Sequence, residues 1–132
     1  MKSTPELREQ LHQISTALLR IHKNLLENEM QERESKLHIT LGPNERLHAL
    51  LNDPTLDWLR SLSQLVASID EVYFQKEPIT TAQFETELKK VTDLIIENND
   101  SVFLKKYRSL LPTVPDLMQQ HGLLRLALTK KK

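Results

Sequence analysis

The chain has 132 residues, 18 acidic and 18 basic side chains and 39% hydrophobic residues, the balance of a single folded domain rather than of a disordered or fibrous chain. The lack of cysteine excludes disulfides, thiolate catalysis and Cys-ligated zinc or iron–sulfur centres; with only Gly42 and Gly122, there is no glycine-rich loop to cradle a nucleotide phosphate. Charge is uneven: residues 1–100 hold 11 basic and 17 acidic side chains, residues 101–132 hold 7 and 1, so the C-terminal end can draw an acidic partner or fold back on the acidic remainder.

Helix formers dominate, and the first element follows from Thr4-Pro5-Glu6. Thr4 is a candidate N-cap, and Pro5 sits at the first helical position, where a missing N–H costs nothing. Leu7, Leu11, Ile14, Leu18, Ile21 and Leu25 then recur every three or four residues, a seam along one helix face. Leu19 and Leu26 widen it, as a globular bundle requires. Polar residues replace the seam after Leu26, which predicts a solvated stretch from Glu27 to Lys36. Leu37-His38-Ile39-Thr40-Leu41 alternates apolar and polar before Gly42-Pro43 and reads as an extended connector pressing three side chains onto the bundle.

Asn44 can cap a short helix from Glu45 to Leu51, and Asp53-Pro54 starts the next one. Along that helix Leu56, Leu59, Leu62, Val66, Ile69 and Tyr73 face inward with Trp58, Leu65 and Val72 beside them, so it should be the most buried. Thr80 and Gln83 form a capping-box pattern for a helix facing inward through Phe84, Leu88, Val91, Leu94 and Ile95. Asn98-Asn99-Asp100 reads as a turn, with Ser101 or Asp100 capping a helix that buries Val102, Phe103, Tyr107, Leu110 and Leu111. Pro112 and Pro115 break the chain before a last segment through Leu117, Met118, His121, Leu124 and Leu128. Gly122 either ends this segment or weakens it by about 1 kcal/mol relative to alanine. Lys130 to Lys132 read as a frayed tail.

These elements predict an all-α fold, an antiparallel bundle of four to five helices in one domain, residues 1–132. Its core should include Leu11, Ile14, Leu18, Ile21, Leu59, Leu62, Val66, Ile69, Leu88, Val91 and Ile95. The first residues lack the apolar stretch of a signal peptide, and no run of ~18 apolar residues suits a membrane span. The expected setting is cytoplasmic.

Glu-x-x-His occurs at Glu9/His12 and Glu45/His48, and two such pairs with further glutamates can build a dinuclear metal site in a bundle. Here Glu9 and His12 point away from the leucine seam, and Glu45 lies nearly opposite the Leu47/Leu50/Leu51 face. No metal site is therefore expected; His12, His22 and His48 are the candidates if one exists. His22, beside the seam, reads as a boundary histidine. No cofactor is expected, and no residue stands out as catalytic.

The most distinctive stretch is Asp57-Trp58-Leu59-Arg60-Ser61-Leu62-Ser63-Gln64-Leu65, with Ile69-Asp70-Glu71 after it. Trp58, Arg60 and Asp70 either fix helix register through an ordered tryptophan and boundary ion pairs, or form an anchor surface for a partner, since tryptophan and arginine dominate binding hot spots. The string Asp53-Pro54, Trp58-Leu59-Arg60, Leu62-Ser63, Leu65, Ile69-Asp70-Glu71 resembles one in small uncharacterised bacterial helical proteins. The resemblance implies a bacterial, cytoplasmic origin and transfers no site.

The leucine-rich C-terminal segment should dock on its own bundle; neither membrane nor nucleic acid is an expected partner. Leu19, Leu26, Trp58 and Leu123 to Leu128 exceed the needs of one small core. The expectation for function is thus a non-enzymatic protein-interaction or regulatory module, binding a protein partner or itself as a homodimer. The alternative is a bundle holding a metal ion or small apolar ligand.

Overall fold

The computed structural model describes residues 4–38, 40–97 and 101–129, with the backbone alone at residues 4, 50 and 55. The expectations for Ile39, Asn98-Asn99-Asp100, Lys130 to Lys132 and the Thr4 and Leu50 side chains lie outside these residues. Among the described residues there are six α-helices: α1 (Thr4–Leu37), α2 (Pro43–Asn52), α3 (Arg60–Tyr73), α4 (Thr81–Val91), α5 (Val102–Leu110) and α6 (Leu117–Thr129). A 3₁₀ turn, Pro54–Leu59, leads into α3, and a π-helical turn, Thr92–Ile96, prolongs α4. The fold is all-α, with no strand among the described residues. The described residues hold six α-helices where four to five were expected.

α1 is the axis of the bundle. Its 34 residues make a rod about 51 Å long at ~1.5 Å per residue. The leucine–isoleucine seam is buried from Leu7 to Leu25, as its spacing requires. Side-chain bonds fix the direction of its neighbours. Ser15 Oγ donates to Asp70 Oδ1 at 2.8 Å and His22 Nε2 meets Ser63 Oγ at 2.7 Å, so α3 runs antiparallel to α1. Gln10 Nε2 donates to the Ala127 carbonyl at 2.9 Å, and Asn24 Nδ2 to the Pro115 carbonyl at 2.8 Å and Gln120 Oε1 at 2.9 Å. α6 therefore also lies antiparallel along α1, on the flank defined by Gln10, Ala17 and Asn24. The terminal helix docks on its own bundle.

The end of α1 departs from expectation. Met30 is fully buried, and Arg33 and Glu34 are half-buried, where a solvated stretch was predicted. Arg33 pairs with Asp53; Arg46 pairs with Glu27 at 2.7 Å and Glu34 at 3.5 Å; Glu34 Oε2 accepts from the Leu41 N–H at 2.6 Å. Polar clamps, invisible to an apolar period, hold α2 and the 3₁₀ turn over these last turns. The expected extended connector is also corrected. Helix α1 continues through Leu37, which is exposed, and His38 turns the chain in the left-handed region at φ 57°. Only Leu41 of that stretch packs on the core among the described side chains.

Local signals explain most boundaries. Gly42, not Asn44, caps α2, with Pro43 in its first turn and the Gly42 N–H donating to Glu45 Oε1 at 3.0 Å. At α4 the capping box forms as predicted: the Gln83 N–H donates to Thr80 Oγ1 at 3.0 Å, and the Thr80 N–H to Gln83 Oε1 at 3.1 Å. Ser101 Oγ accepts from the Leu104 N–H at 3.1 Å and caps α5. α5 buries Phe103, Leu104 and Tyr107 and leaves Val102 outside, because three- and four-residue steps from Phe103 cannot also include Val102. The predicted core residues are buried, with Leu88 partly so. The inward position beside Leu88 belongs to Glu87, only 4% exposed, whose charge is met by Lys90 at 3.0 Å and by Ser68 Oγ–H at 2.6 Å.

Candidate functional site

Of the residues singled out from sequence, Trp58 is buried, Asp70 half-buried and Arg60 exposed. Trp58, read from sequence as either a register-fixing residue or a partner anchor, is only 8% exposed and packs against Phe103 at 5.8 Å between ring centroids. Its indole N–H meets no acceptor among the described residues. Arg60 donates to the Leu51 carbonyl at 2.6 Å and pairs with Asp57 at 3.0 Å, tying the end of α2 to the start of α3. Asp70 accepts from Ser15 of α1. These contacts join α3 to α1 and to the end of α2.

The histidines stand apart. His12 and His22 lie ten residues apart on one helix, about 15 Å along the axis, too far to share an ion. His12 is exposed and stacks on Tyr73 at 5.1 Å. His22 is half-buried against Ser63, and burial lowers its pKa. His48 is exposed on α2. Glu9 accepts from Gln13 at 3.4 Å and Glu45 from the Gly42 N–H, so neither glutamate turns to its histidine. Among the described residues no group of three or more His, Cys, Asp or Glu side chains can hold a metal ion. On α6, His121 Nδ1 meets the phenol of Tyr107 at 2.7 Å; its pKa is lowered by burial and by the nearby Arg125 and Arg108, while burial raises that of the phenol.

Ser68, Glu87 and Lys90 form a polar cluster with nucleophile-like composition. Ser68 Oγ–H points to Glu87, however, and Lys90 Nζ donates to both Ser68 Oγ and Glu87 Oε2 at 3.0 Å. The Glu87 carboxylate, itself buried, accepts from both the serine and the lysine, and the three side chains clasp α3 to α4.

Concave apolar surface lies elsewhere, between α1 and α6. A groove of about 730 Å³ is lined by His12, Gln13, Thr16, Ala17 and Arg20 from one helix and Leu123, Leu126, Ala127 and Thr129 from the other. It exists because α6 buries Leu117, Leu124 and Ala127, three- or seven-residue steps that leave Leu123 and Leu126 on the far side. Leu126 and Met118 are both 66% exposed, and Leu19 stands exposed one turn along α1 from Thr16. The sequence flagged Leu19 and Leu123 to Leu128 as surplus apolar residues; it gave no sign of Thr16 and Arg20 opposite them. A smaller cavity of about 370 Å³ at the far end of α1 is lined by Glu29, Glu32, Arg33, Lys36, Leu37 and Lys106. Burial raises the pKa of Glu29 there. On α2, Leu47 and Leu51 are exposed one turn apart, correcting the inward face expected of them.

The class these observations define is an all-α bundle with an open, mostly apolar groove between α1 and α6. No described helix is long and apolar enough to cross a membrane. No family model, no curated protein and no solved structure matches the chain.

Proposed function

We propose that this protein is a non-enzymatic interaction module whose contact surface is the outer α1/α6 face. The observation that carries the reading is the pair of exposed leucines, Leu123 and Leu126, that wall a groove between two packed helices, with exposed Leu19 one turn along α1 from Thr16 of its lining. Apolar surface gathered about a concavity is what marks a docking site; single exposed leucines do not. A bacterial cytoplasm is the proposed setting, on the sequence alone.

A second reading has one specific observation in its favour. The groove volume of about 730 Å³ falls in the range of small-molecule sites, so an apolar ligand is the alternative occupant.

The test is a photocrosslinking amino acid at Leu126 of the full chain in its native cytoplasm, with the same probe at exposed Glu85 on α4 as control. A discrete protein adduct at position 126 alone, whether to another protein or to a second copy, is the expected result. Absence of any protein adduct, with native mass spectrometry showing a bound small-molecule mass on the 15.4 kDa chain, would replace this reading by the ligand one.

A further inference from the structure

The cavity of about 370 Å³ at the far end of α1 stands apart from the α1/α6 face. Glu29, Glu32, Arg33, Lys36 and Leu37 line it from α1, and Lys106 reaches it from α5. The five α1 positions are spaced i, i+3, i+4, i+7 and i+8, so they share one helix face. Glu29 follows buried Leu25 by four residues, and charged side chains therefore prolong the line of the leucine seam.

Glu29 is half-buried, and its Oε1 is shut off from water without a hydrogen-bond donor among the described residues. A buried acceptor left unmet costs about 1–3 kcal/mol, and more where it is charged. Burial raises the pKa of this carboxyl, and Lys106, Glu32, Arg33 and Lys36 all act on it through space. Arg33 is engaged by Asp53. Lys36 and Lys106 are exposed and close no ion pair among the described residues.

We infer that this cavity binds a free α-amino acid with an apolar side chain, its ammonium on Glu29 and its carboxylate on Lys36 and Lys106. With Arg33 held by Asp53, two carboxylates and two ammonium groups remain in the lining. A lone phosphate would face Glu29 and Glu32, and a metal ion would face the two lysines. A zwitterion satisfies both signs at once. Its ammonium supplies the donor that Glu29 Oε1 lacks, and exposed Leu37 offers an apolar wall for its side chain. The volume is of small-molecule size.

L-leucine, L-methionine and L-phenylalanine are each titrated to about 10 mM into the full-length protein by calorimetry, which still registers a Kd near 1 mM. Emission of Trp58, the single tryptophan, is followed alongside, because Lys106 Nζ lies 6.0 Å from its ring centroid. Saturable binding of at least one amino acid is expected, with a change in that emission as Lys106 turns to the ligand. Glu29→Gln and Lys106→Gln should each weaken binding about tenfold or more, and Lys89→Gln on α4 should leave it within about twofold. The analogue lacking the amine and the one lacking the carboxylate (4-methylpentanoate and 3-methylbutylamine for leucine) should each bind about tenfold more weakly or worse.

No saturable binding of any of the three would overturn the inference. Equal binding of the amine would make the cavity a cation site and equal binding of the acid an anion site; either overturns it. So would affinity kept in both Glu29→Gln and Lys106→Gln. Lys106 is exposed, so its variant remains a test even where circular dichroism shows Glu29→Gln misfolded. None of these outcomes alters the adduct expected at Leu126.

Discussion

The two flanks of α1 are held by different means. Toward α3 the contact is a dry apolar interface, with Leu11, Ile14, Leu18 and Ile21 facing Leu62 and Ile69, all fully buried, and two side-chain bonds along its edge. Toward α6 it relies on Leu117, Leu124 and Ala127 plus amide side chains that reach the backbone of α6 and of the loop before it. The α3 side excludes water along its length. The α6 side leaves a groove and an apolar outer row. α6 packs its backbone closely along α1 through small and amide side chains, and still keeps apolar side chains on its outer side.

Breaking the α3 flank should have the largest effect. Ile69→Ala removes a fully buried side chain and should cost about 2–5 kcal/mol, seen in urea as a lower midpoint for the whole chain. Gln10→Ala strikes the other flank. It leaves the Ala127 carbonyl without this donor in a buried position and should cost about 1–3 kcal/mol. Hydrogen exchange should then quicken in α6 while α3 stays protected; equal loss in both helices would erase the contrast between the flanks.

Acid should loosen both sides through one histidine each. Burial lowers the pKa of His22 beside α3, and burial with Arg125 and Arg108 lowers that of His121 in α6. The unfolded chain therefore takes up protons first, with its histidines near 6.5. Stability should be full above about pH 6.5 and lost as pH falls through the lower folded-state values. A urea midpoint measured from pH 7.5 down to 5.5 checks this; His22→Asn should flatten the slope in part, and an unchanged slope would remove His22 from the account.

Smaller effects sharpen the picture of α6. Nothing lies near a methyl group added at Gly122, so Gly122→Ala should stabilise by about 0.5–1 kcal/mol through helix propensity. Thermal unfolding reads this directly, and a loss would mean that the open space is occupied. Leu126→Glu should shift stability by no more than about 0.5 kcal/mol, since the side chain is already largely in water. A larger drop would place Leu126 in the core and not on a docking face.

Periodicity and capping chemistry were sufficient to read the all-α class, the leucine seam of α1, the Thr80/Gln83 cap and the buried face of α3, because each depends on residues within one or two turns of each other. The same local logic left two readings open for Trp58, which the fold places against Phe103, and misjudged the end of α1, where Arg33, Arg46 and Glu34 find partners far along the chain. The candidate site was half legible. Leu19, Leu123 and Leu126 stood out as apolar residues in excess of a small core, but their meeting with Thr16, Ala17 and Arg20 depends on how α6 lies against α1. By itself, then, the sequence determined which segments are helical and which side of most helices avoids water, since propensity and amphipathic period are local properties. Which flank of α1 each helix covers, and so where a groove is left open, was decided by tertiary packing alone, because it rests on pairings such as Gln10 with Ala127 that no local pattern encodes.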